Sequence, residues 1–420
     1  MIQEETFDVT VIGAGAAGLA AAAVTAAAGK TTIVIDREDR PGGILRQCIH
    51  NGFGLRYFKE ELTGPEYAEQ AAEKAEKAGA NLRLGATVLD MKKEPDGTLL
   101  LLVLSPGDGV RKIRSLAVIL AMGCRERNRG NLAIPGSRPA GVFTAGAAQK
   151  LLNMEGILPG KKAVIVGSGD IGLIMARRLR WSGIKVEAVV EIMPYPAGLT
   201  RNIVQCLNDF GIPLYLEHSV VNILGRERVE GVEVAPLKDG IPQTERKFHI
   251  DCDTVLFSVG LIPENELTKG AGIRIDPRTN GPEVYDNLET SEEGIFACGN
   301  VVHVHDLVDY VSEESARAGA GAARRIAGNP PEASGISVEA GNAVSYVVPQ
   351  HIRNSEDEKT VPLFFRVRRM LKKVRIEISD GKNLLASYPR EYMAPGEMEK
   401  LFLPRKLLQD CTRIVVSIRE

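Results

Sequence analysis

Residues 7–24 read FDVTVIGAGAAGLAAAAV, and residues 161–179 read KKAVIVGSGDIGLIMARRL. Each opens as an apolar run of strand length, turns on glycines spaced G-x-G-x-x-G, and continues into a helix-forming stretch. The glycines are Gly13, Gly15 and Gly18 in the first copy and Gly167, Gly169 and Gly172 in the second. After each comes another apolar run ending on an acid: TTIVID closes on Asp36 and VEAVVE on Glu191. Both acids fall about 20 residues past the last glycine, the spacing at which a carboxylate reaches the hydroxyls of an adenosine ribose. A glycine triplet alone is weak. A buried strand before it, a helix after it and an acid at the next strand's end make a unit whose helix N-terminus takes a pyrophosphate. Two such units in one chain imply two dinucleotides and a place where electrons change carriers.

The rest of the composition narrows the class. A chain of 420 residues, 44% hydrophobic, can fill two or three cores. A net charge of −2 argues against an extended nucleic-acid surface. No apolar run reaches the roughly 20 residues of a membrane span, and the alanine-rich stretch from Leu19 to Ala28 reads as the dinucleotide helix. The opening MIQEETF lacks the basic and apolar regions of a secretory leader. Cys48, Cys124, Cys206, Cys252, Cys298 and Cys411 are scattered, with no C-x-x-C. Neither a metal knuckle nor a local redox disulfide is expected, and a reducing cytoplasm is the expected location.

Along the chain, Gly64 to Gly79 has helical composition and stops at a glycine. LRLGATVLDM, TLLLLVLS and SLAVILAMG read as strands, as do LYLEHSVVNIL, GVEVAPL and DTVLFSVG after the second glycine unit. TSEEGIFACGN precedes a helix expected from about Glu313 to Ile326. GNPPEASG then reads as a linker. Period-two alternation in NAVSYVVPQ, VPLFFRVRR, KVRIEISDG, NLLASYPREY and TRIVVSIRE predicts a small β-sandwich of about five to seven strands over 336–420. GEMEKLFLPRKLL fits a short helix or another strand, and nothing in this tail carries chemistry. The fold class is α/β, with two Rossmann-like dinucleotide-binding domains and a small C-terminal β-sandwich-like domain.

This order of motifs resembles the pyridine nucleotide–disulfide oxidoreductase superfamily, in which a nicotinamide domain interrupts a flavin domain. The resemblance covers residues 6 to about 327 and implies an FAD domain over 1–125 and 263–328, an NAD domain over 126–262, and the tail over 336–420. Ala121, Met122 and Gly123 match the family's Ala-Thr-Gly turn with Met for Thr, and GIFACGN over 294–300 matches the motif at the flavin ribityl chain. That motif usually ends in Asp, where this chain has Asn300. After Gly42 and Gly43 the family's disulfide reductases place two cysteines; here GGILRQCIHNGFG holds Cys48 only. Their disulfide chemistry therefore does not carry over. GGILRQCIHNGFG and GNVVHVHDLVDYVSEES also resemble a bacterial group that accompanies a second flavoprotein similar to anaerobic glycerol-3-phosphate dehydrogenase, and nicotinamide-binding subunits of heteromeric sarcosine, opine and amino-acid oxidases.

The resemblance implies roles residue by residue. Gly13, Gly15, Ala16, Ala17 and Gly18 hold the FAD pyrophosphate, Asp36 with neighbouring Arg37 the adenosine ribose, and Thr87 and Val88 the adenine. Gly43, Ala121, Met122 and Gly123 approach the flavin, Gly299 and Asn300 hold the ribityl side, and His305 bonds the pyrimidine edge or substrate. Gly167, Gly169, Asp170, Ile171, Glu191 and Gly260 receive the nicotinamide dinucleotide. Glu191 favours NAD(H), because a carboxylate repels a 2′-phosphate and Ile192 to Tyr195 contain no arginine. Cys48 and His50 suggest a reactive thiol favoured by Arg46 or a protonated imidazole, against the plainer reading of a small buried thiol. His303 and His305 permit chelation in an extended segment, but no metal is expected. Trp181 is expected to end the second glycine helix against the sheet.

The expected function is hydride exchange between NAD(H) and FAD, in the electron-transfer subunit of a dehydrogenase of glycerol-3-phosphate or amine and amino-acid type. A second flavoprotein subunit is the expected partner, and a homo-oligomer is compatible. The alternatives are a stand-alone NADH oxidase or peroxidase using Cys48, and a docking subunit whose flavin only stabilises the fold.

Overall fold

The computed structural model describes residues 3–328, 335–353 and 359–420. Most of the GNPPEASG linker lies outside them. The chain forms two compact units, Met1–Cys124 with Pro263–Glu420, and Arg125–Ile262. Among the described residues no helix is long and apolar enough to cross a membrane.

The first unit opens with β1 (Glu4–Ile12), α1 (Ala16–Ala27) and β2 (Thr32–Ile35). Then come α2 (Gly64–Lys77), β3 (Asn81–Arg83), β4 (Thr87–Lys93), β5 (Leu99–Ser105) and β6 (Gly109–Leu120). β1 lies parallel to β2 on one side and to β6 on the other, pairing Val11 with Val34 and with Ile119. Val9, Val11 and Ile12 are buried on both faces, so this strand is apolar without alternation. β5 forms an antiparallel pair with β6 and alternates as expected, with Leu99, Leu101 and Val103 buried. α2 starts on a full capping box, Thr63 with Glu66, and has Pro65 in its first turn. Its buried face is Tyr67, Ala68, Ala71, Ala72 and Ala75, a three-to-four spacing.

The second unit repeats the plan. β7 (Val142–Thr144), α3 (Ala145–Met154), β8 (Lys162–Val166), α4 (Asp170–Trp181), β9 (Lys185–Val190) and β10 (Leu214–Tyr215) lead to β11 (His218–Leu224), β12 (Gly231–Lys238), β13 (Phe248–Asp251) and β14 (Thr254–Phe257). The parallel sheet runs β7-β14-β8-β9-β10, and β11, β12 and β13 form an antiparallel layer. Trp181 does not pack against the sheet as expected. It is 62% exposed, edge-on to Phe210, with the Arg177 guanidinium 4.9 Å from its ring, because the last turn of α4 faces solvent there.

The chain returns to the first unit with β15 (Ile295–Ala297), which extends the parallel sheet beside β6. α5 then spans Val308–Ile326, starting five residues before the expected Glu313. The apolar positions Val308 and Val311, with Asp309 in the first turn, already follow a helical period that the preceding histidines obscure. α5 crosses α1 at Gly319, where a Cβ would stand 2.5 Å from the Ala21 carbonyl oxygen. That approach explains why α1 is built of alanine.

The tail has eight strands among the described residues, more than the five to seven expected. They are β16 (Gly335–Ala340), β17 (Val344–Val348), β18 (His351–Arg353), β19 (Thr360–Val367), β20 (Leu371–Ser379), β21 (Leu384–Met393), β22 (Glu399–Pro404) and β23 (Arg413–Arg419). The sequence count falls short because β18 is only three residues long; GEMEKLFLPRKLL, read as a short helix or another strand, forms β22 and then a 3-10 turn. Sheets β18-β16-β23-β20-β21 and β17-β19-β22 share one core through Ile376 and Val416 on one side and Leu363 and Phe365 on the other. Ion pairs fasten this sandwich to the rest of its unit. Arg353 pairs with the buried Glu289, Arg405 with Asp286, Arg366 with Asp306, and Lys400 with Glu313.

Gly18 tests the close packing of the first turn, since an added Cβ would lie 1.7 Å from the Gly13 carbonyl oxygen. Gly18→Ala is expected to destabilise the first unit by about 3 kcal/mol or more, because backbone must move. Urea unfolding followed by circular dichroism measures it.

Candidate dinucleotide sites

The first turn is stitched to strands on both sides. Gly13 N donates to Ile35 O at 2.8 Å, and Ala121 N donates to Ile12 O at 2.9 Å. Gly13 sits at φ +108°, and a Cβ there would lie 2.4 Å from Ala121 O, so glycine is required on both counts. Asp36 crosses from the end of β2 to the turn: Oδ2 accepts from Ala14 N at 2.5 Å and Oδ1 from Glu38 N at 2.8 Å. Two of its acceptor positions stay open for a ribose. No side chain caps α1, whose first turn bond is Leu19 N to Gly15 O. The N–H groups of Ala16, Ala17 and Gly18 thus point outward at the positive end of a twelve-residue helix. A Cβ on Gly15 would meet nothing within 4 Å. Uncapped amides facing open space fit a pyrophosphate, and FAD fits this cradle.

The second turn reproduces the first. Gly167 N donates to Val190 O at 2.7 Å, Ser258 N to Val166 O at 2.7 Å, and a Cβ on Gly167 would lie 2.2 Å from Ser258 O. Glu191, only 5% exposed, accepts from Ser168 N at 2.9 Å and Ser168 Oγ at 2.5 Å through Oε2, and from Met193 N at 2.9 Å through Oε1. These three bonds leave it one acceptor position. Asp170 begins α4 and holds the following loop, accepting from Leu199 N at 2.8 Å and Asn202 Nδ2 at 2.6 Å. Ser168 and Ser258 are turn-building residues that the sequence did not single out; Gly172 N donates to Ser258 Oγ at 3.0 Å. Ile171 is partly exposed and Gly260 exposed, with Gly260 O accepting from Arg127 N at 3.0 Å.

The other expected residues are spread around the first turn. Gly43 faces Gly15, its built Cβ 3.3 Å from the Gly15 Cα. Ala121 is buried, and Met122 and Gly123 are half-buried. Arg37 and Thr87 are exposed, while Val88 points into the core and can offer a ligand only its backbone. Cys48 is half-buried, and its thiol donates to Ile44 O at 3.3 Å. Burial pushes that thiol up to about 12, the reverse of the shift that would activate it as a thiolate. His50 lies 4.9 Å from the Phe53 ring, with Nδ1 3.0 Å from Asn51 O.

The turn after β15 is organised by a residue that the sequence did not single out. Glu314, fully buried on α5, accepts from Gly299 N at 2.9 Å through Oε1. Asn300 Oδ1 accepts from His305 N at 3.1 Å, closing the turn on itself. The His305 ring is buried: Nε2 lies 3.3 Å from Glu314 Oε2, and His303 Nε2 lies 3.0 Å from the same oxygen. The inward face of α5 draws both rings away from the surface.

This geometry has counterparts in known proteins. The model of the pyridine nucleotide-disulphide oxidoreductase family matches residues 7–326. An opine oxidase subunit of Agrobacterium tumefaciens is 29% identical over 320 residues, covering 70% of this chain and 61% of that protein. The match thus spans less than two thirds of that relative. Hydrogen cyanide synthase subunit HcnB of Pseudomonas protegens is 27% identical over 286 residues, covering 63% of this chain and 58% of HcnB. The crystal structure of T. acidophilum thioredoxin reductase superposes with a TM-score of 0.63 at 24% identity, over 76% of this chain and 98% of that one, which shows a shared fold. The chain belongs to the pyridine nucleotide–disulphide oxidoreductase family, flavoprotein oxidoreductases that work with FAD and a nicotinamide dinucleotide.

Proposed function

We propose that this protein exchanges hydride between NAD(H) and FAD as the electron-transfer subunit of a multi-subunit dehydrogenase. The observation that carries this is the same cradle built twice in one chain, with an acid-braced glycine turn at each helix start. When bound, the two dinucleotides supply the redox chemistry, and the protein supplies position and field. Ala16, Ala17 and Gly18 hold one pyrophosphate by backbone N–H, Asp36 holds the ribose, and Gly299 and Asn300 close on the ribityl side. Gly169, Asp170 and Ile171 hold the other dinucleotide. Glu191 places a carboxylate at the strand end that receives the ribose, which favours NAD(H) over a 2′-phosphate. The FAD domain is accordingly assigned to residues 1–125 and 263–328, and the NAD domain to 126–262.

Membership of a larger complex is supported by two relatives that are themselves named as subunits, one of an opine oxidase and one of a hydrogen cyanide synthase. Burial pushes the Cys48 thiol up, which argues against a thiolate-based oxidase. A glycerol-3-phosphate or amine and amino-acid dehydrogenase as the partner follows the resemblance of the flavin-side segments.

Two measurements test this. Under anaerobic conditions NADH is expected to bleach the visible flavin band far faster than NADPH, and aerobic NADH turnover by the isolated chain is expected to be slow and unchanged in Cys48→Ser. Rapid oxygen or peroxide reduction abolished by Cys48→Ser would instead establish the stand-alone oxidase, and bound flavin that NADH never bleaches the docking subunit. Separately, Gly15→Ala places a methyl in open space. It is expected to leave urea stability within about 0.5 kcal/mol while weakening FAD binding at least about tenfold, as read by flavin fluorescence titration.

A further inference from the structure

We propose that Glu314 is a positioning residue for the Gly299–Asn300 turn, and that it acts within a buried cluster with His303 and His305 that holds a single shared proton. The inference rests on the FAD assignment above for its functional meaning, but the cluster itself is independent of it.

The proton count follows from the partners. His305 Nδ1 lies 3.1 Å from His303 O, and a carbonyl only accepts, so Nδ1 carries hydrogen. His305 Nε2 lies 3.3 Å from Glu314 Oε2, at ion-pair distance though not aligned as a hydrogen bond, and has no other partner. Were both atoms bare, two lone pairs would face each other without water, an arrangement a dry interior penalises heavily. A proton on Nε2 removes that repulsion and supplies the buried carboxylate with its counter-charge, making the pair an imidazolium and a carboxylate in ion-pair contact. His303 Nε2 donates to the same Oε2 at 3.0 Å, which leaves its Nδ1 bare and the ring neutral. One negative and one positive charge cancel, which is what permits burial with side-chain exposures of 1%, 0% and 0% for His303, His305 and Glu314. The second carboxylate oxygen is spent on Gly299 N at 2.9 Å. Cluster and turn are thus one hydrogen-bonded piece.

The surroundings seal it. Phe364 of β19 lies 5.6 Å from the His303 ring and 5.9 Å from the His305 ring, and Tyr346 of β17 lies 6.0 Å from His303. Arg366 faces the cluster from the tail, held by Asp306 and by the Tyr346 hydroxyl at 3.1 Å; Cys298 and Ser315 face it from the turn and from α5. Burial, then His305 beside it, pushes His303 down to about 4. Burial works to raise Glu314, but His305 and His303 hold it well below the usual carboxylate range. Two histidines and a carboxylate within 4.8 Å could also accept a divalent cation. Against that, structural zinc sites bring four ligands and catalytic ones keep an open position; three donors closed off from water are neither.

The test uses the full chain with 15N-labelled histidine and its six histidines. Substitutions His303→Gln and His305→Gln assign the two buried rings. At pH 7 wild type is expected to show one imidazolium and one neutral imidazole among the two buried rings; two neutral rings, or a stoichiometric metal ion found by elemental analysis, would overturn the shared proton. For positioning, Glu314→Ala is expected to raise the FAD dissociation constant at least about tenfold, while Glu314→Gln, which still accepts from Gly299 N, stays within about threefold but loses the imidazolium signal. Equal FAD affinity in Glu314→Ala and wild type sinks the positioning role. Should Glu314→Ala not fold, Glu314→Gln decides: an imidazolium that persists in it overturns the proposal. Wild type that binds no FAD would refute the flavin assignment instead, with the histidine spectra still reporting the cluster.

The pH profile gives a further readout. A neutral His303 held at about 4 against 6.5 unfolded contributes stability that is complete above pH 6.5 and lost as pH falls towards 4. His303→Gln is expected to flatten that slope, and an unchanged slope would count against the neutral ring.

Discussion

Everything else in the chain is arranged around one contact, the carboxylate at a strand end that accepts from the backbone amide inside the neighbouring glycine turn. Asp36 makes it to Ala14 and Glu191 makes it to Ser168. Each is charge-assisted and partly or fully buried, of a kind worth about 1.5–3 kcal/mol. Its larger effect is geometric. It fixes the turn against the next strand, so that the helix after it starts with its free amides facing outward. The same acid then has acceptor capacity left for a ribose, two positions on Asp36 and one on Glu191.

The parallel sheets follow from that arrangement. A turn with no room for side chains at Gly13 and Gly167 brings the next strand's end, Ala121 or Ser258, against the glycine backbone. β6 and β14 therefore lie beside the fingerprint strands, and the acid strands β2 and β9 take the opposite side. α1 can be nearly all alanine because α5 crosses it at backbone distance. The two units differ in what they add: a sandwich tail in the first, an antiparallel layer in the second.

The tail is an integral wall of the first unit. Tyr346, Phe364 and Arg366 roof the histidines behind the Gly299 turn, and buried pairs at Glu289 and Asp286 hold the sandwich in place. A chain with alternating strands and no chemical motif of its own thereby supplies the low-dielectric cover that makes a buried carboxylate–imidazolium pair possible. Removing that cover would admit water to the cluster and loosen the turn it holds.

Local pattern carried a great deal. The glycine spacing, the apolar runs and the terminal acids are short-range features, and each decides a backbone shape within some twenty residues, so the two strand–turn–helix–strand units and the helix over Gly64–Lys77 were legible before any coordinates. The early start of α5, the eighth strand of the tail and the exposure of Trp181 were not, because each depends on what packs against the segment. Glu314 shows the limit most clearly. Nothing in VSEESARAG singles it out, and only the packing of α5 against β15 turns it inward between His303, His305 and Gly299. The sequence by itself determined the two glycine-turn units and the acids that brace them, because that information is written in neighbouring residues. Which buried charges meet, and what covers them, was decided by the tertiary structure, because burial and partner choice arise only when distant segments exclude water together.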